Sequence, residues 1–277
     1  MKNALITALA TPYKKGKIDF NSYAELVRRQ ADYADGILCC GTTAEAQLLT
    51  ECEKKLLITA AKETAVNTPV IAGIEEADTL KAVKCAEKYE KYGADALLVA
   101  PPAFCKCTAS GYYRHIKAIK NAASIPLVLY NIPARCGYIL NKNVLKKLHE
   151  KEGINYIKDA GDDLNYTADI SRFLIVFSGN DGLLASSLNC GAKGVISVVS
   201  NVAPLLTRKV LNGEYSEIFQ TLAEISMREV NPVPVKYMLY KSGIFDDYAM
   251  RLPLTRARRQ TRREIDGFWK RFEGEIK

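Results

Sequence analysis

The chain has 277 residues, of which 48% are hydrophobic and 25% charged, and it carries a formal net charge of +8. This is the composition of an ordinary globular protein, and the length exceeds that of one small module. No apolar run approaches the roughly 18–20 residues needed to cross a bilayer, so the sequence predicts no membrane partner.

One pattern repeats along the chain: a short apolar run rich in β-branched residues, a turn, and a longer segment with helical periodicity. The predicted strands are 4–10, 36–40, 69–73, 96–100, 126–130, 156–158, 174–178 and 194–198. The predicted helices lie near 20–34, 51–66, 78–92, 109–122, 141–150, 163–171, 182–190 and 204–212. Asn21, Asp78 and Asn141 are the predicted N-caps. Eight alternating strands and helices predict an α/β fold, a (β/α)8 TIM barrel, because an open doubly wound sheet usually has fewer strands and a Gly-rich first turn.

The strand pattern ends near residue 213. Residues 214–277 have helical patterns, interrupted at Asn231-Pro232-Val233-Pro234 and at Leu252-Pro253-Leu254. We predict a barrel domain over 1–213 and a C-terminal helical extension over 214–277, which packs on the barrel or serves self-association. No low-complexity linker separates the two parts.

The eight cysteines are scattered without any CxxC pair. A zinc site usually needs four ligands at recognisable spacings, so the sequence predicts no metal. Cysteines in apolar runs, such as Cys39 and Cys40, behave as small buried hydrophobes. A reducing, cytoplasmic location is the expectation.

Five arginines lie between residues 256 and 263. Such a cluster can bind nucleic acid, but no aromatic residues that would stack on bases interleave it. A solvated helix face is favoured, and we predict no nucleic-acid partner. A mildly basic protein also attracts anionic metabolites.

A (β/α)8 barrel places its active site at the C-terminal ends of its strands. Lys158 stands at such an end, after the apolar run 154–157. Burial there should lower its pKa, and a lysine must lose about 3 units to be largely neutral near pH 7. A neutral amine beside a bound carbonyl forms an imine. The alternative is a strand-end lysine paired with a surface carboxylate.

Other groups gather at the same end of the barrel. Tyr130 ends the neighbouring strand, where its phenol would relay protons or, alternatively, pack in the core. Thr42 and Thr43 offer hydroxyl and backbone N–H groups suited to a carboxylate, although such loops are also common as turns. Arg135 would clamp a second carboxylate or form a salt bridge.

From about residue 4 to residue 256, the chain resembles the dihydrodipicolinate synthase / N-acetylneuraminate lyase superfamily of class I, pyruvate-dependent aldolases. The motifs that carry the resemblance are Ala10-Thr11-Pro12, Gly41-Thr42-Thr43-x-Glu45, Tyr130-Asn131-Ile132-Pro133-x-Arg135-x-Gly137, Ile157-Lys158-Asp159, Ser178-Gly179-Asn180-Asp181, Gly194-Val195-Ile196-Ser197-Val198, Asn231-Pro232-Val233-Pro234-Val235-Lys236 and Arg251-Leu252-Pro253.

The resemblance implies a role for each site residue. Lys158 would form the Schiff base, Tyr130 would relay protons, and Thr42 would hydrogen-bond Tyr130. The substrate-binding residues would be Thr42, Thr43, Arg135, Gly179, Asn180 and Ile196, with Thr43 on the pyruvate carboxylate and Arg135 on that of aspartate semialdehyde. It also implies no cofactor beyond the covalent imine, and a homotetramer or homodimer.

Three departures from the family pattern stand out. Ala103-Phe104 replaces a tyrosine pair whose second member reaches across the dimer, so the proton relay loses its outer phenol. Ala44 replaces a glycine, and the loop 73–79 differs from the family's Gly-rich loop. The positions that bind lysine in feedback-inhibited members carry Ala46, Glu51, Ala77 and Lys81. We therefore expect insensitivity to lysine.

The principal prediction is a lyase of the dihydrodipicolinate synthase type, which condenses pyruvate with L-aspartate 4-semialdehyde in lysine and diaminopimelate biosynthesis. Arg135 favours it and Phe104 weighs against it. One alternative is a pyruvate-dependent aldolase acting on a 2-keto-3-deoxy sugar acid or an N-acetylneuraminate-like substrate. Another is a barrel without catalysis that serves binding or regulation.

Overall fold

The computed structural model describes residues 3–276 of the chain. Eight parallel strands form a closed barrel, in which each strand pairs with its sequence neighbours and the last pairs with the first. The strands are Ala4–Ala8 (β1), Gly36–Cys39 (β2), Val70–Ile74 (β3), Ala96–Val99 (β4), Leu127–Asn131 (β5), Tyr156–Asp159 (β6), Ile175–Ser178 (β7) and Gly194–Ser197 (β8). The predicted (β/α)8 barrel is therefore confirmed.

Successive side chains on each strand point to opposite faces, which divides the core into two layers. Ile6, Leu38 and Val128 belong to the layer inside the barrel. Leu5 and Leu129 belong to the layer between the strands and the surrounding helices. Because both faces are buried, the strands are almost continuously apolar in sequence.

The helices are close to the predicted segments. They are Phe20–Ala31 (α1), Glu51–Thr64 (α2), Thr79–Lys91 (α3), Ala109–Ala122 (α4), Pro133–Cys136 (α5), Lys142–Glu152 (α6), Leu164–Ile170 (α7), Leu184–Asn189 (α8), Pro204–Leu211 (α9), Glu217–Ser226 (α10), Val233–Lys241 (α11) and Arg259–Ile276 (α12). The sequence did not predict α5, or a small hairpin formed by Tyr13–Lys14 and Lys17–Ile18. No helix within residues 3–276 is long and apolar enough to span a membrane.

The predicted helix caps are correct in two of three cases. Asp78 and Asn141 cap α3 and α6 through their side chains. Asn21 was the wrong residue for α1, because the carboxylate of Asp19 accepts hydrogen bonds from the backbone N–H groups of Asn21 and Ser22 at 3.2 and 3.3 Å. A carboxylate two residues earlier satisfies two otherwise unpaired donors.

Helices α10–α12 follow the barrel, and α10 packs against both α11 and α12. One fully buried ion pair joins α11 to the loop after β2, with Nζ of Lys236 2.7 Å from Oε1 of Glu45. Burial works against both charges, since it raises the pKa of Glu45 and lowers that of Lys236 to about 8. Lys236 also lies over the ring of Tyr13, 4.2 Å from its centroid.

The predicted boundary near residue 213, between the barrel domain and the C-terminal extension, stays a prediction.

This ion pair generates a test of stability. We expect Lys236→Met to lower the free energy of unfolding by about 3–5 kcal/mol, because it leaves the Glu45 carboxylate buried without a partner. A second change, Glu45→Gln, should restore most of the loss. Urea unfolding measures both, with Lys241→Met on the same helix as control, since Lys241 pairs with Asp266 at the surface and should cost at most about 1 kcal/mol. A small loss in Lys236→Met would contradict the assignment.

Candidate active site

The register of β5 and β6 sets Tyr130 directly opposite Lys158. Both side chains are buried, with 5% of each residue exposed. The amine of Lys158 lies over the phenol ring, 4.6 Å from its centroid. Within residues 3–276, no carboxylate lies within 4.0 Å of this amine, which therefore has no ion pair.

The neighbouring Asp159 faces away from the barrel interior. Its carboxylate accepts hydrogen bonds from Nδ2 of Asn131 at 2.8 Å and from Oγ1 of Thr167 at 2.7 Å. These bonds occupy the carboxylate in the layer between β6 and α7. The alternation of side chains along a strand thus separates the amine from the acid next to it in sequence.

Gly179, just after β7, allows the lysine side chain to pass. A Cβ atom at this position would lie 2.7 Å from Cβ of Ala160 and 2.9 Å from Cε of Lys158. Any larger residue would displace the amine. Gly179 thus lies beside Lys158, and its role in substrate binding stays a prediction.

Burial is the main reason why the pKa of Lys158 falls to about 8. The carboxylates of Asp181 and Glu75 act in the opposite direction, and the Arg135 cation adds to the decrease. The value stays about one unit above the level needed for a largely neutral amine at pH 7. Roughly one amine in ten is then uncharged at pH 7, enough to react.

A cavity of about 420 Å³ opens at this end of the barrel. Thr42, Tyr130 and Arg135 line it, together with Phe104 and Asn231. The Thr43 hydroxyl lies just behind this surface, where it accepts a hydrogen bond from Nδ2 of Asn231 at 2.9 Å. Arg135 lies on α5 and is exposed at the cavity wall, with its guanidinium 3.4 Å from the carbonyl oxygen of Asn231.

Two predicted residues lie away from this surface. The Asn180 side chain accepts from the backbone N–H of Gly182 at 3.1 Å and donates to Asp162 at 3.3 Å, so it caps the turn after β7. Ile196 on β8 is fully buried inside the barrel. Only their backbone groups remain for a substrate, and the substrate-binding roles of both residues stay predictions.

Sequence reasoning missed three residues of the site. Glu75 follows β3, and its carboxylate accepts a hydrogen bond from Oγ1 of Thr42 at 2.9 Å. Asp181 is buried and accepts from the backbone N–H groups of Val198 and Val199 at 2.8 and 3.0 Å. Asn231 comes from the segment before α11. An acid directly after an apolar strand was the available signal for Glu75.

The structure gives no reason to place a metal at this site. Within residues 3–276, one group of possible ligands lies together, formed by Glu51 on α2, Glu76 before α3 and Cys85 on α3. Lys54 lies 3.5 and 3.7 Å from the two carboxylates. These acids therefore already have a cationic partner.

Comparison with known proteins agrees with this geometry. The family model described as the Dihydrodipicolinate synthetase family matches residues 1–271. A 4-hydroxy-tetrahydrodipicolinate synthase from Campylobacter fetus is 37% identical over 274 residues, covering 92% of each chain. The structure of the corresponding synthase from Methylacidiphilum fumariolicum SolV has a TM-score of 0.93 and 31% identity, covering 99% of this chain and 97% of that one. A pyruvate complex of the Acinetobacter baumannii enzyme has a TM-score of 0.92 and 32% identity, with both chains fully covered.

Fold, site and relatives together define a carbon–carbon lyase of the class I aldolase type. The chain belongs to the dihydrodipicolinate synthetase family. Enzymes of this family hold pyruvate as a Schiff base on a lysine and use no external cofactor. The principal prediction from sequence is therefore confirmed, and the sugar-acid aldolase and the non-catalytic barrel are not favoured.

The lowered pKa of Lys158 predicts how imine formation depends on pH. Only the neutral amine attacks a ketone, and its fraction grows as pH rises through about 8. The initial rate of pyruvate trapping by cyanoborohydride should therefore rise about tenfold between pH 7 and pH 9 and then level off. Mass spectrometry measures the amount of adduct. The rate at which the reagent reduces a small imine at each pH corrects for the pH dependence of the reagent itself, and Lys158→Arg is the blank. If the midpoint of this pH dependence lies near the pKa of a free lysine, the reacting amine is not a buried one.

Proposed function

We propose that this enzyme condenses pyruvate with L-aspartate 4-semialdehyde, using Lys158 as the amine that forms the imine. The observation that carries the proposal is a buried lysine without an ion-pair partner, whose pKa falls to about 8, next to the phenol of Tyr130. A structural lysine in this position would be expected to have a carboxylate beside it. A cavity of about 420 Å³, lined in part by Tyr130, opens at the same end of the barrel.

The first step in this proposal is addition of the Lys158 amine to the C2 carbonyl of pyruvate. The resulting carbinolamine loses its hydroxyl as water when the nitrogen lone pair forms the C=N bond. Tyr130 serves as the proton relay for this step. Burial, and next the charge of Glu75, raise the pKa of the Tyr130 phenol, so it stays protonated and able to donate.

The second step forms the carbon–carbon bond. The iminium withdraws electrons from C3, which loses a proton and becomes an enamine. The enamine attacks the aldehyde carbon, and the aldehyde oxygen takes up a proton to become a hydroxyl. The amino group of the semialdehyde then attacks C2 and displaces Lys158, which closes the ring. One water is released for each pair of substrates.

The carboxylates of the substrates need separate partners. For the pyruvate carboxylate we propose the loop that carries Thr42 and Thr43, together with backbone groups at Gly179, Asn180 and Ile196. Arg135 at the cavity wall is the proposed partner of the semialdehyde carboxylate, since its planar guanidinium matches a carboxylate with two parallel hydrogen bonds.

We also propose a homotetramer or homodimer in the cytoplasm. The Phe104 side chain, at the mouth of the cavity, is 98% exposed and sits on a backbone with φ of +65°, which suits a residue that meets a second subunit. All eight cysteines, which lie within the described residues, are unpaired. This state agrees with a reducing compartment.

Arg135→Ala tests the assignment of the second substrate. We expect the KM for aspartate semialdehyde to rise about 10- to 100-fold, because a charged hydrogen-bonded pair contributes about 1.5–3 kcal/mol. Arg135→Lys keeps the charge but not the planar guanidinium, so its KM should lie between that of the native enzyme and that of Arg135→Ala. Trapping of pyruvate at pH 9, where Lys158 is mostly neutral, should be unchanged. An equal loss with an aldehyde that lacks a carboxylate would contradict the role of Arg135.

Lysine should not inhibit the enzyme at low millimolar concentration. The four relevant positions include the exposed cation Lys81 and Glu51, whose carboxylate lies 3.5 Å from the amines of both Lys54 and Lys88. Neither Lys81 nor the paired Glu51 offers a free acceptor for the amino groups of a bound lysine molecule. A titration of lysine into the condensation assay measures this, with a lysine-inhibited family member in parallel, and inhibition of both would refute the prediction.

A further inference from the structure

The cavity contains an acid that the mechanism above does not use. Within residues 3–276, two carboxylic acids line the cavity, Glu45 and Glu75. Glu45 is held in the buried ion pair with Lys236. Glu75 has no lysine or arginine nitrogen within 4.0 Å among the described residues. Its carboxylate accepts a hydrogen bond from the Thr42 hydroxyl, at 2.9 Å.

The path of the backbone brings Glu75 close to Thr42. Glu75 directly follows β3, and Gly73 on that strand touches the loop after β2. A Cβ atom at position 73 would lie 2.3 Å from the carbonyl oxygen of Cys40. The close approach of the two backbones brings the segment after β3 against the turn that begins at Thr42.

Thr42 connects this acid to the phenol of the active site. Its side chain also lies close enough to the Tyr130 phenol to lower the pKa of that phenol, against the larger effect of burial. A hydroxyl has one proton and two lone pairs. When Thr42 donates to Glu75, its oxygen is free to accept from Tyr130, and that bond would complete a chain from Tyr130 through Thr42 to Glu75.

No other group lining the cavity fits the outer end of this chain. Phe104 has no exchangeable proton. Burial raises the pKa of the Cys136 thiol to about 11, and the thiol lies 3.4 Å from the carbonyl oxygen of Pro101. The guanidinium of Arg135 has no site that accepts a proton. These properties leave Glu75 as the group at this end of the chain that can take up a proton and return it.

We propose that Glu75 is the outer member of a proton relay, Tyr130–Thr42–Glu75, contained in one chain and serving imine formation at Lys158; the relay rests on the function proposed above. Addition of the neutral amine gives a positively charged nitrogen and an alkoxide. The alkoxide takes a proton from solvent, and the nitrogen loses one proton, which passes along the chain to the carboxylate. Protonated Glu75 then returns this proton to the hydroxyl, which leaves as water as the iminium forms, and Glu75 is again ionised.

The charges around Glu75 suit a group that changes its protonation during turnover. Burial raises the pKa of its carboxyl group, while the Thr42 hydrogen bond and nearby cations lower it. The titratable and charged groups that face it are Arg135, Lys54, Lys158, Tyr130, Cys136 and Cys40. The ionised form is the one that accepts a proton, so activity is lost as pH falls through this raised pKa.

The experiment measures kcat/KM for pyruvate between pH 5 and pH 9, which reports groups that titrate in the free enzyme. The native enzyme needs a neutral Lys158 and an ionised Glu75. Its logarithmic profile should therefore steepen from a slope of one to a slope of two at the acidic end. Glu75→Gln keeps an acceptor for Thr42 but cannot take up a proton. Its kcat/KM for pyruvate should fall at least about 100-fold, and the slope of its logarithmic profile should stay at one.

Two variants act as controls. Glu75→Asp keeps a carboxylate and should keep the slope of two with a smaller loss. Glu76→Gln, in the same loop but outside the cavity, should match the native enzyme. Trapping of pyruvate to completion at pH 9 shows whether each variant is folded and retains a reactive Lys158.

Other outcomes overturn the relay. A Glu75→Gln variant with native rate, or with a reduced rate and the native two-proton slope, means that Glu75 only holds Thr42 in place. Equal slopes of one in both enzymes exclude Glu75 as a titrating member. If even the native enzyme yields no pyruvate adduct, the proposed function itself fails, and this result is distinct from a defect confined to Glu75→Gln.

Discussion

The active site depends on the register between β5 and β6. Parallel pairing sets Tyr130 opposite Lys158, and side-chain alternation turns both toward the barrel interior. A shift by one residue would place Asp159 inside and the amine among the helices. The closed barrel prevents such a shift, because each strand is fixed by two neighbours. The chemistry of one amine is thus secured by the backbone hydrogen bonds of the whole sheet.

Burial and charge then adjust that amine. An apolar surrounding lowers its pKa, and Arg135 acts in the same direction. The negative charges of two acids, Asp181 and Glu75, keep the pKa of Lys158 from falling further. Neither acid lies close enough to form an ion pair within the described residues. The result is a lysine that exchanges its proton near neutral pH, which is the requirement for both forming and releasing an imine.

The C-terminal extension belongs to the site as much as the barrel does. Lys236 of α11 holds Glu45 in the loop after β2, and Asn231 just before that helix donates to the hydroxyl of Thr43. The loop that is proposed to bind the pyruvate carboxylate is therefore fixed from outside the barrel. Loss of this contact should disturb binding as well as stability, because an uncompensated buried charge would displace the loop.

The sequence by itself determined the barrel, since eight apolar runs separated by helical segments have few other solutions, and it determined which strand ends carry polar groups. It also placed Lys158 and Tyr130 at those ends. Only the tertiary structure decided that Glu75, and not a group at position 104, lies against Thr42, and that the Asn180 side chain caps a turn. These contacts depend on how loops from different strands meet, and a sequence pattern with local periodicity contains no information on such distances.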